Sequence, residues 1–173
     1  PATANPKYAS IIVEESSGRV LYSRSADKQL FPASLTKIMT LYLLFEALQN
    51  RRITLGTRMK VSKVAASRSP SKLYLKPGQT ITVENAILAL VTKSANDVAT
   101  VVSEHLGGNE RNFAKKMTRK AKAIGMKRTI FKNASGLPNR AQLSTARDMA
   151  RLGIAIRRNF PQYFKYFNST SFN

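Results

Sequence analysis

The sequence predicts an α+β fold. Paired β-type runs stand at the N-terminus, helical patterns fill most of the remainder, and no strand–helix–strand alternation supports a parallel sheet. Hydrophobic residues make up 43% of the 173-residue chain, a globular composition that fits one domain with a real core.

The elements follow in order. Ile11-Ile12-Val13 and Val20-Leu21-Tyr22 are β-branched or aromatic runs flanking Ser16-Ser17-Gly18, the pattern of a β-hairpin. "PASLTKIMTLYLLFEAL" has helical length and is apolar on nearly every side, which predicts a helix inside the domain rather than on its surface. "ITLGTRMKVS" and "KLYLKPGQTITV" read as short extended segments, the second bent at Pro77-Gly78. Thr82 is a suitable N-cap for "VENAILALV", which stops near "TKSAND". The next helix runs from near Asp97 to Leu106 and ends at Gly107-Gly108. Asn109 can cap "ERNFAKKMTRKAKAIG", in which Phe113, Met117, Ala121 and Ile124 form one apolar stripe and six cations cover the other faces. That cationic face reads first as the solvated side of an amphipathic helix, with polyanion docking as the second reading. An irregular Gly-, Pro- and Asn-rich stretch, "FKNASGLPNRAQ", leads into a last helix capped by Ser144 or Thr145.

Composition removes several kinds of chemistry. Without cysteine there are no disulfides and no thiolate zinc sites, whatever the compartment. His105 is the one histidine and reads as an ordinary helix-end residue, so a general base here is expected to be something else. Neither GxGxxG nor GxxxxGK[ST] occurs, so nucleotide binding has no support. The longest apolar run, Ile38 to Phe45, falls far short of the ~20 residues that span a bilayer. Pro1 to Ala9 is small and polar, as a mature chain looks once a secretory signal has been removed. A net charge of +20 attracts polyanions such as nucleic acid, acidic lipid or anionic wall polymer, without choosing among them.

Ser34 and Lys37 stand three apart where the apolar helix begins. Residues at that spacing share a helix face, and a first-turn serine sees exposed backbone N–H groups that favour developing negative charge. A lysine among apolar neighbours loses hydration, and its pKa falls toward values where the neutral amine accepts a proton. That is what a serine nucleophile needs in the absence of histidine. The plainer reading makes Ser34 a cap and Lys37 a solvated first-turn residue. In "KSAND", Ser94 and Asn96 lie two apart at a helix junction and can project together into a cleft, or else cap the next helix.

"FPASLTKIMT" followed by "SAND" and then by "NASGLPNRAQLSTARDMA" closely resembles the serine D-alanyl-D-alanine carboxypeptidases, the low-molecular-mass penicillin-binding proteins, from about Tyr8 to the end. The resemblance implies a β-lactamase/transpeptidase-like fold, a helical cluster packed on an antiparallel sheet. It implies Ser34 as the acylated nucleophile, Lys37 as its proton acceptor, and Ser94 as the relay to the leaving D-alanine. Asn96 would bind the acyl-side amide, and the Ser34 N–H would be one oxyanion donor. No metal or organic cofactor is implied. The implied substrate is a peptidoglycan stem peptide ending in D-Ala-D-Ala, the implied inhibitors are β-lactams, and the implied location is periplasmic or otherwise extracytoplasmic. Class A β-lactamases deacylate with a glutamate-activated water; here Glu110 is the last glutamate, and Asp148 is the only later carboxylate. Asp148 sits in a helix pattern, where an arginine or backbone partner is expected, so a penicilloyl-enzyme should hydrolyse slowly.

The family's third motif, Lys-Thr-Gly on the strand forming the far wall of the cleft, does not follow Asn96. Lys76-Pro77-Gly78 precedes Ser94 and carries a turn-forming proline, so it is rejected as a substitute. Residues 1–173 are therefore expected to be the N-terminal, larger part of one catalytic domain. A C-terminal fragment of that domain is an expected partner, and any membrane anchor would lie in it. Without the later strands the buried helix should lose half of its cover, and this piece alone should turn over little substrate. Two other readings are a non-catalytic basic module for anionic wall polymer or nucleic acid, supported by charge alone, and a β-lactamase-like hydrolase.

Overall fold

The structure is a computed structural model that describes residues 8–170, so most of the Pro1–Ala9 stretch lies outside it. β1 (Ser10–Val13) and β2 (Val20–Arg24) form the expected antiparallel hairpin, with Ile12 opposite Tyr22 and an irregularity between Ile12 and Val13. Ile11 and Val13 are half-buried while Ser10 and Ile12 are exposed, the period-two alternation of a strand. Gly18, at φ +74°, closes the turn by donating to the Glu14 carbonyl at 2.8 Å.

The chain then enters a 3₁₀ turn at Ala33–Leu35, followed by α1 (Thr36–Gln49). Ser34 thus sits in the 3₁₀ turn and not in the first turn of the α-helix. No side chain caps either element, which removes capping as an account of Ser34. As expected, α1 runs through the interior: Met39, Leu44 and Phe45 are wholly buried.

Its cover differs from the expectation. Among the described residues, α1 shares its core with helices and with C-terminal aromatic residues, and Met59 and Ile81 join the same cluster. α3 (Val83–Lys93), α4 (Asn96–Gly107), α5 (Glu110–Ala123) and α6 (Ala146–Asn159) supply buried Ile87, Val98, Phe113 and Leu152. The Phe45 ring stacks on Tyr163 with centroids 5.3 Å apart, and Tyr42 meets Phe160 edge-on at 4.8 Å. The short helix Pro161–Phe164 and the 3₁₀ turn Lys165–Asn168, which the sequence pattern does not announce, carry these aromatic residues inward. Truncating Phe45 to alanine would cost about 3–5 kcal/mol.

The middle segment is less extended than its pattern suggests. β3 (Arg58–Lys60) pairs antiparallel with β4 (Thr80–Thr82), and a one-turn helix, α2 (Lys63–Ala66), lies between them. Leu73 to Lys76 is not a strand, because its donors go elsewhere. The Leu73 and Leu75 N–H groups donate to the buried Asp97 carboxylate at 3.0–3.1 Å. A carboxylate satisfied by backbone donors holds this loop against the start of α4.

Caps settle the remaining boundaries. Thr82 accepts from Asn85 N–H and Asn109 from Asn112 N–H. Thr145, not Ser144, caps α6, accepting from Asp148 N–H; the Ser144 hydroxyl instead shares a 2.8 Å bond with Thr129. Phe113, Met117 and Ala121 form the buried stripe of α5, and Ile124 lies just past its end. Asp148 is buried as a structural acceptor for Arg128 N–H, Thr129 and Arg151.

Candidate functional site

Lys37 is the centre of the site. It is 5% exposed, at the second position of α1, and its ammonium donates to Asn96 Oδ1 at 2.8 Å and to the Ser135 carbonyl at 2.6 Å. Burial lowers its pKa from 10.5 to about 8, the direction the apolar sequence context predicts. A small fraction of neutral amine is therefore present near pH 7, and it can accept a proton.

Ser34 lies one turn before Lys37 and is exposed. No hydrogen bond joins its hydroxyl to a described residue, and no acceptor among them takes its N–H. Ala33, just before it, holds φ +49°, a left-handed conformation that costs a non-glycine residue about 1–2 kcal/mol.

Asn96 opens α4 and is buried. Its side-chain amide donates to the Ser69 carbonyl at 2.9 Å and its backbone N–H to Ser71 at 2.7 Å, so Oδ1 is left facing Lys37. Ser94 ends α3 in a left-handed conformation (φ +49°, ψ +44°) and is half-exposed. Neither Ser94 nor Asn96 caps α4, whose N-cap is Ala95 without a side-chain bond. The structure therefore joins Lys37 directly to Asn96, while Ser34 and Ser94 flank that pair in sequence without a bond to it.

The loop 133–136 closes the third side. Ala134 O accepts from Thr40, one turn beyond Lys37, at 2.7 Å. Asn133 Oδ1 accepts from Gly136 N–H at 2.8 Å, and Gln142 supports the same turn. Gly136, at φ +87°, lies so close to the Ala33–Ser34 peptide that a Cβ there would collide with the Ala33 carbonyl. Among the described residues no cluster of His, Cys, Asp or Glu could hold a metal ion.

A family model described as D-alanyl-D-alanine carboxypeptidase, peptidase S11, matches residues 3–173. The chain belongs to this family. It is 38% identical over 147 residues to D-alanyl-D-alanine carboxypeptidase DacF of Bacillus subtilis, covering 85% of this chain and 38% of that relative. The crystal structure of D-alanyl-D-alanine carboxypeptidase DacD from Francisella tularensis superposes with a TM-score of 0.91 at 35% identity, over 93% of this chain and 39% of that one. Penicillin-binding protein D2 from Listeria monocytogenes, in its ampicillin-bound form, gives 0.84 at 29% identity, over 98% and 69%. The chain spans about two fifths of the length of the curated relatives it matches. These neighbours bear out the penicillin-binding, α+β fold that the motifs imply.

Within this family frame, the residues that motif reading missed act through their backbones. Ser135 and Ser69 contribute carbonyl oxygens, to Lys37 and Asn96 respectively, a role that residue type does not announce. Gly136 alone had a legible signal, a glycine in the Asn-, Gly- and Pro-rich stretch "NASGLPN", though the pattern marked only an irregular loop.

Proposed function

We propose that the protein is a serine-type D-alanyl-D-alanine carboxypeptidase of the extracytoplasmic space, and that residues 1–173 are the N-terminal, larger part of its single catalytic domain. The observation that carries this is Lys37, with a pKa of about 8, fixed by Asn96 and Ser135 one turn from Ser34 in a chain of this family. The exposed hairpin supports the domain reading: Ile12, Leu21 and Tyr22 are each more than half exposed, apolar surface for a further part of the domain to cover.

The cycle begins with neutral Lys37 taking the Ser34 hydroxyl proton as Oγ attacks the carbonyl of the penultimate D-alanine. The oxyanion forms beside the unengaged Ser34 N–H. Ser94 passes a proton to the leaving amine, D-alanine departs, and water hydrolyses the ester on Ser34. Asn96 orients Lys37 and offers its amide edge to the peptide. A β-lactam would acylate Ser34 in the same way. Class A β-lactamases, in another branch of the superfamily, need a carboxylate poised for deacylation, and here Glu110 and Asp148 are both engaged in structural contacts. Along α5, Arg111, Lys115, Lys116, Arg119 and Lys122 are exposed while Lys120 pairs with Glu46 at 2.6 Å, and it is the family match that weighs against a purely basic binding module.

Labelling of the full-length natural protein with a fluorescent penicillin tests the reading. One covalent label per chain that disappears in Ser34→Ala is expected, with D-alanine released from a stem peptide. Absence of label, or a label that survives Ser34→Ala, overturns it.

A further inference from the structure

One carboxylate behind the site touches both loops that hold Lys37. Glu110, the first residue of α5, is largely buried, and its Oε1 accepts from Arg68 Nη2 at 2.7 Å. Its Oε2 lies 3.4 Å from the Ala134 N–H and 3.3 Å from the Thr100 hydroxyl. Arg68 Nε also donates to the Thr100 hydroxyl at 3.0 Å, tying the pair to α4.

Two short paths lead from this cluster to the Lys37 ammonium. On one side, Glu110 accepts from the Ala134 N–H; the Ala134 carbonyl accepts from Thr40, and the carbonyl after it, that of Ser135, accepts from Lys37. On the other, Arg68 precedes Ser69, whose carbonyl fixes the Asn96 amide so that Asn96 Oδ1 also accepts from Lys37. Both protein acceptors of the lysine are thus anchored through one ion pair. The pair makes no contact with Lys37 itself.

We propose that Glu110, with Arg68 and Thr100, is a positioning device that clamps the 68–71 and 133–136 loops and so sets the geometry of Lys37. This rests on the proposed role of Lys37 in acylation. A partly buried ion pair is weak evidence for stability by itself, since desolvation offsets much of its attraction. Its value here is geometric, because a misplacement of an ångström at a reacting group can reduce a rate a hundredfold. The α5 helix contributes as well: a carboxylate in its first turn is held by the exposed N–H groups and the helix dipole.

The test uses the full-length natural protein with Glu110→Gln and Glu110→Ala, each read in two ways. Acylation by a β-lactam is followed over a range of pH, separating the encounter constant from the rate at saturation. The ionisation of Lys37 is followed by NMR of its Cε, assigned with Lys37→Met. The saturated acylation rate should fall on the order of tenfold with little change in encounter, and the Lys37 midpoint should move in both measurements. Arg68→Met should do the same, and combining it with Glu110→Gln should add little further loss. A purely structural role would lower the melting temperature and leave the Lys37 midpoint and the acylation rate of the folded fraction unchanged; that result overturns the proposal. If the parent protein takes no label, the carboxypeptidase reading fails by itself. The clamp is then judged by the NMR midpoint, which supports it if displaced and refutes it if unmoved. Should Glu110→Ala not fold, the isosteric Glu110→Gln still decides.

Discussion

Lys37 Nζ and Asn96 Oδ1 are 2.8 Å apart, although 59 positions separate the two residues in the chain. A buried ammonium rarely lacks a counter-charge, and here neutral oxygens serve instead, from Asn96 and Ser135. No carboxylate stabilises the charged form, and burial alone drives the pKa down.

The pH dependence of stability follows from that shift. The folded-state pKa of about 8 lies below the ordinary 10.5, so the unfolded chain holds more protons between those values. Below pH 8 both states carry the proton and the burial cost is fully present; it is relieved as pH rises toward 10.5. Relative to Lys37→Met, the parent protein should gain up to roughly 3 kcal/mol across that window. Urea melts of both proteins over a pH series measure the difference, and a flat difference would exclude the lowered pKa.

Asn96→Asp tests the neutrality of the acceptor. A carboxylate against Lys37 would favour the ammonium form and raise its pKa. The acylation rate of the full-length protein should therefore rise with pH about a midpoint near 8 in the parent and about a higher one in the variant. At pH 7 the variant should be at least about tenfold slower, since each unit of pKa shift is a tenfold loss of neutral amine. A midpoint that stays in place would argue against Lys37 as the group titrating in acylation.

Gly136→Ala addresses the contact between the loop and the nucleophile's turn. Both Gly136 and Gly78 have positive φ, yet a Cβ at Gly78 meets nothing within 4 Å, whereas one at Gly136 meets the Ala33 carbonyl. Gly78→Ala should cost about 1 kcal/mol for backbone conformation alone. Gly136→Ala should cost more, by about 1–3 kcal/mol, and should slow acylation. Thermal melts of the two variants side by side check this; equal costs would mean that the close approach to Ala33 does not require glycine.

Much of the scaffold was legible because local rules decide it. Thr82, Asn109 and Thr145 cap the helices they precede in the pattern, and the stripe of Phe113, Met117 and Ala121 faces inward at helical spacing. The 71–79 segment misled, because β-type residues there give their N–H groups to a carboxylate more than twenty positions away, a contact that no local pattern records. The cover of α1 misled too. Phe160, Tyr163 and Phe167 reach Phe45 only because the chain turns back after α6, and that turn carries no periodic signal.

By itself the sequence determined the class, the existence of the longer helices and the candidate residues Ser34, Lys37, Ser94 and Asn96, since side-chain chemistry and spacing are written in residue types. The tertiary structure decided which of them meet. It paired Lys37 with Asn96, moved Ser34 out of the helix into a 3₁₀ turn, and brought the carbonyls of Ser69 and Ser135 to the site. Backbone oxygens are the same in every residue, so only the path of the chain can say which of them becomes a ligand for the lysine and its partner.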